Sequence, residues 1–146
     1  MTTEIVVPDQ ALVEKLLNNL ELEYVLDEDG DLGVPFEHFR MYFMLRGPDE
    51  GHSFAVRTFY DRRHAIEAKP HLLELVDDWN RRSLWPKVYS YTGDDGAVTL
   101  VGEAVMLIGA GVTLEHFATS TATWIRASVA FDGWLVEQHR LLADET

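Results

Sequence analysis

Residues 97–108 are apolar on both sides of an extended chain. Val98, Leu100, Ala104, Met106 and Ile108 share one parity, while Val101, Val105 and Leu107 share the other, interrupted by Glu103. Side chains alternate across a strand, so the segment predicts a strand that must be covered on both faces. Helices of the same chain can cover one face. The other calls for a second subunit or a ligand, and that requirement limits the folds open to the chain.

The remaining elements follow from periodicity and punctuation. Residues 8–20 predict a helix, with Pro8 in its first turn, Asp9 at its N-terminus, and Leu12, Val13, Leu16, Leu17 and Leu20 on one face. Strands are predicted at 22–26, 38–46 and 53–60, separated by the turn Asp27-Glu28-Asp29-Gly30-Asp31 and a loop at 47–51. A second helix at 70–82 carries the stripe Leu72, Leu73, Val76 and Trp79, has Arg81 and Arg82 in its last turn, and ends before Pro86. Strands at 87–92 and 97–108 flank the turn Gly93-Asp94-Asp95-Gly96. From the N-cap Thr113, a helical pattern runs toward Leu142, a span of about 45 Å at 1.5 Å per residue. That length suggests an overhang or a kink near Gly133. The order is α-β-β-β-α-β-β-α, an α+β fold with an antiparallel sheet, expected as one domain over residues 1–146.

Composition narrows the function classes. At 146 residues the chain is long enough for a core that needs neither metal nor disulfide. With no cysteine, disulfides, zinc–thiolate sites and thiol nucleophiles are excluded. A net charge of −13 argues against nucleic acid, because Arg62-Arg63-His64 and Arg81-Arg82 are the only basic clusters. Met1-Thr2-Thr3-Glu4 has no secretory character, and no apolar run approaches the ~20 residues that span a membrane. The expected location is cytoplasmic, with no membrane partner.

Chemical motifs are weak throughout. Asp27, Asp29 and Asp31 lack the glycine and glutamate spacing of a calcium loop, so a solvated turn is the simpler reading. His64, Glu67 and His71 would share a helical face, but Pro70 interrupts that helix. Gly109-Ala110-Gly111 has Leu114 where a dinucleotide fingerprint needs its third glycine, and serves better as a tight turn. Glu37 and Glu103 are isolated strand carboxylates, with nothing to pair them as acid and base. No nucleophile elbow or phosphate loop is present. The chain is expected to be no enzyme and to need no cofactor or metal.

The stretch Leu-Val-Asp-Asp-Trp-Asn at 75–80, followed by Pro86-Lys87-Val88 and preceded by the acidic turn at 27–31, resembles the YbjN family over residues 10–140. The resemblance implies the fold of type III secretion chaperones, which usually dimerise and bind extended client segments. It also implies a regulatory role and brings no catalytic residues. Trp79, Asn80 and Pro86 match the motif as structure, with Asn80 closing a helix and Trp79 packed beneath the sheet.

The expected function is therefore a non-catalytic peptide- or protein-binding module, chaperone-like or regulatory and homodimeric. Tyr89, Tyr91, Val101, Val105 and Leu107 are the candidate dimer or client surface, and Tyr42, Trp85 and Arg57 could line the same groove. The alternative is a small-ligand sensor or an unrecognised enzyme with a pocket between the last helix and the sheet.

Overall fold

The computed structural model describes residues 4–48 and 52–145, with side chains described as far as residue 140. Part of the predicted loop at 47–51 and most of the N-terminal tetrapeptide thus lie outside the described residues. The helices are α1 (Gln10–Asn19), α2 (Lys69–Arg82) and α3 (Leu114–Glu145). Among the described residues there are eight strands: β1 (Ile5–Val6), β2 (Val25–Leu26), β3 (Leu32–Pro35), β4 (Phe39–Arg46), β5 (Ser53–His64), β6 (Lys87–Thr92), β7 (Val98–Leu107) and β8 (Val112–Thr113).

Six strands form one antiparallel sheet in the order β2-β3-β4-β5-β7-β6, and β1 pairs with β8 in a separate ribbon. The predicted α+β class and the order of the major elements hold. Three short strands are added, β1, β3 and β8, and the predicted strand at 22–26 shrinks to the two residues of β2. The reason lies at the end of α1. Glu21 takes a left-handed φ of 59°, its N–H donates to the Asn18 carbonyl, and the Leu22 N–H donates to the Leu17 carbonyl. This Schellman turn ends α1 and occupies the residues that would have begun the strand. Pro8 lies outside α1, because Asp9 is the N-cap and accepts from the Leu12 N–H at 2.9 Å.

The helices contribute their buried side chains to one core. Val13 and Leu17 of α1, Leu72 and Val76 of α2, and Phe117, Trp124, Phe131 and Leu135 of α3 pack with one parity of the strands. Rings fill the space between α3 and the sheet: Phe54 lies 4.8 Å from Phe117 and Tyr60 lies 5.0 Å from Phe131, centroid to centroid. The Tyr60 hydroxyl donates to the Ser128 carbonyl at 2.7 Å, so the one polar atom of that ring is satisfied. The position foreseen for a ligand pocket is thus solid aromatic core. α3 continues without interruption through Gly133 for 32 residues, about 48 Å.

The motif at 79–88 has a role different from the expected one. Asn80 does not close α2, whose C-cap is Ser83. Its side chain instead donates to the Val88 carbonyl and accepts from the Val88 N–H, both at 3.0 Å. Trp79 donates from Nε1 to the Pro86 carbonyl at 3.0 Å, while its ring stands edge-on to Phe131 and packs beside Trp134 of α3. Together they clip the end of α2 to the start of β6.

Candidate functional site

Since every helix packs on one side of the sheet, the other parity of its strands forms a face that no helix covers. The ladder registers arrange that face in rows. One row runs Tyr42, Arg57, Glu103, Lys87; the next runs Arg40, Phe59, Val101, Tyr89. On the far side of the charged row lie Met44, Ala55 and Val105, and beyond them Leu107.

The charged row is a connected group. Arg57 donates from Nε to Glu103 Oε2 at 2.8 Å, and Lys87 approaches Glu103 Oε1 at 3.5 Å. Glu103 is therefore not an isolated carboxylate: two cations share one largely buried anion. Arg40 lies 5.6 Å over the Phe59 ring, and Tyr42 stands edge-on to Phe59 at 5.6 Å. The Tyr42 ring also lies against its ladder partner Gly33, where an added Cβ would sit 2.9 Å from Cε1. A glycine opposite a large ring lets the aromatic lie flat on the sheet. These side chains border a shallow depression of about 340 Å³, which the acidic turn closes at one end.

All five residues proposed from sequence fall on this face. Their exposures differ: Leu107 is 71% exposed, Tyr91 61%, Val105 52% and Tyr89 39%, whereas Val101 is 5% exposed between its ladder partners Phe59 and Tyr89. The free apolar surface thus comes from the other four. Tyr42 and Arg57 join the face as expected, and Trp85 sits in the loop before β6. Arg40, Met44 and Phe59 were not foreseen. Their parity was visible in β4 and β5, but their place beside Tyr89 depends on register across three strands.

The sheet's edges are short or partly occupied. β2 is two residues long, and at β6 the backbone groups of Val88 are occupied by Asn80. An approaching strand finds less to pair with at Val88, and the face is the larger surface.

The other clusters have internal explanations. Asp27, Asp29 and Asp31 offer oxygens within 4.8 Å of one another. However, Asp27 Oδ1 accepts from the N–H groups of Asp29 and Asp31, and Arg46 grips Asp31 at 2.8 Å. Gly111, with φ of 90°, makes the turn before α3, where an added Cβ would strike Ile5 at 2.4 Å. His64 does not share a helix with Glu67 and His71. It ends β5 and stacks on His139 of α3 at 5.5 Å. Burial, then the neighbouring ring and Arg62, hold the His64 pKa below the ordinary histidine range; burial, then His71 and Arg62, do the same for His139.

The fold and its face define a class: helix-on-sheet domains with one antiparallel face left open, in which no described helix is long and apolar enough to cross a bilayer. The model of the YbjN family, described as "Putative bacterial sensory transduction regulator", matches residues 9–137, and the chain belongs to that family. Among solved structures it is similar to "YbjN, a putative transcription regulator from E. coli", at 20% identity and a TM-score of 0.73, over 92% of this chain and 96% of that one. Identity at that level speaks for the fold. No curated protein matches the chain.

Proposed function

We propose that this protein is a regulator that acts by holding polypeptide on the open face of its sheet, without catalysis and without a cofactor. One observation carries the reading: Leu107 and Val105 on one side of the charged row, and Tyr89 and Tyr91 on the other, are exposed on a six-stranded face whose outermost strands are short. Exposed aliphatic and aromatic side chains flanking a charged row suit protein contact, and the Arg57–Glu103–Lys87 group between them supplies fixed polar partners. The acidic turn at the rim would favour basic residues flanking the bound segment. The family's regulatory description fits a protein that works by occupancy, and the expected place of action is the cytoplasm.

The test is photo-cross-linking in cells, with a benzophenone amino acid at Leu107 or Tyr91 and a control at Val129 on α3. Adducts should form from the sheet positions and not from the control. A partner so identified, once purified, should bind the unlabelled chain and lose at least tenfold affinity to Leu107→Asp, as expected for a charge placed in an apolar contact. Adducts confined to α3, or binding indifferent to Leu107→Asp, would overturn the reading.

A further inference from the structure

We infer that the resting occupant of the open face is a second copy of this chain, packed sheet against sheet about a two-fold axis that runs along the strands between β5 and β7. The inference rests on the reading that the open face is the binding face, and it names what fills that face when no other polypeptide does.

The argument is one of self-complementarity. A two-fold contact must match a surface to itself. An axis between β5 and β7 exchanges those two strands and also exchanges β4 with β6. By the observed registers it sets Arg57 opposite the partner's Glu103, Tyr42 opposite the partner's Lys87, and Arg40 opposite the partner's Tyr89. Phe59 meets the partner's Val101, and Ala55 meets the partner's Val105. Each opposition is an ion pair, a cation over a ring, or an apolar contact. An axis across the strands would set Arg57 on Arg57 and Glu103 on Glu103, so the charged row selects one orientation. Sheets packed face to face twist by about 30°, so the match is best at the centre, where Arg57, Glu103, Phe59 and Val101 lie.

Size agrees. Six strands about 4.8 Å apart and two to twelve residues long give a face of roughly 700 Å², close to the ~800 Å² per partner of a stable interface. Alternative surfaces are thinner. Asn80 blocks strand addition at Val88, and among the described side chains of α3 the exposed large apolar residues are Leu114, Val129 and Val136. A second copy and a client would compete for one face, which makes dissociation of the pair the step that exposes it.

The test uses the full chain in sedimentation velocity, with far-UV circular dichroism to confirm folding. The wild type should be a dimer. Arg57→Glu and Glu103→Arg should each weaken self-association about a hundredfold, because like charges then face each other. Mixed together, the two variants should pair again, since each Glu at 57 or 103 of one copy then faces an Arg of the other. Should either variant fail to fold, Val105→Asp, at an exposed position that faces the partner's Ala55, should also give a monomer. A monomeric wild type, a dimer untouched by these changes, or a mixture that stays monomeric would each overturn the inference. Cross-links from Leu107 to another protein would still form in those cases if the proposed function holds. A dimer of the predicted register with no such cross-links would sink the function and leave the inference standing.

Discussion

At the scale of single residues, Asn80 shows how one amide shapes an edge. Its donor and acceptor both engage Val88, closing backbone groups that would otherwise face outward from β6. Asn80→Ala should lower stability by about 1–2 kcal/mol in urea denaturation, the sum of two net hydrogen bonds. It should also raise light scattering over time, because a freed edge recruits other strands. The Trp-Asn…Pro-Lys pattern was legible as a motif, and its place at a helix end was right. Its purpose was not legible, because the partner of Asn80 lies eight residues downstream on another element. A helix-closing asparagine and a strand-clipping one look the same in sequence. Glu103 shows the same limit: alternation placed it on the outer face, but only register brought Arg57 and Lys87 to it.

At the scale of elements, pattern was most legible where it was long. α1, α2, β4, β6 and β7 lie within a few residues of their predicted bounds, because each has sustained periodicity. β3 escaped because Leu-Gly-Val-Pro offers four residues, two of them poor strand formers, and its pairing comes from β4. Near Gly133, where an overhang or a kink is expected, the helix is uninterrupted and nothing lies within 4 Å of an added Cβ. Gly133→Ala should therefore stabilise the protein by about 0.5–1 kcal/mol, seen as a raised thermal midpoint. Near the far end of the described α3 side chains, His139 meets His64 of β5, with Arg62, Asp132 and His71 facing the pair. Both imidazoles have native pKa values below the value of about 6.5 expected in the unfolded chain. The native state thus binds fewer protons than the unfolded one. The stability tied to these rings is full above about pH 6.5 and is lost as pH falls through their depressed native values. Urea midpoints should fall between pH 7.5 and 5.5, and His139→Gln should flatten that slope. An unchanged slope would mean the rings take no part.

For the whole molecule, the sequence sums charge but does not place it. Each chain carries −13, yet the middle of the open face holds Arg57 and Lys87 on Glu103 and Arg40 beside Asp61, so most of the excess negative charge lies elsewhere, on helices and turns such as Glu74 and Asp77 of α2. Two copies stacked on that face would feel two opposed terms. The outer acids repel over tens of ångströms and are exposed to salt. The central Arg57–Glu103 contacts act over about 3 Å, and Glu103 is largely shielded from solvent. The screening length is about 30 Å at 0.01 M salt and about 8 Å at 0.15 M. Raising salt across that range removes the long repulsion and leaves the short attraction nearly intact. Self-association should therefore tighten, roughly tenfold, as read by sedimentation at several ionic strengths. A dimer that loosens instead would mean that exposed ion pairs govern the contact, and the charged row would then be its rim and not its centre.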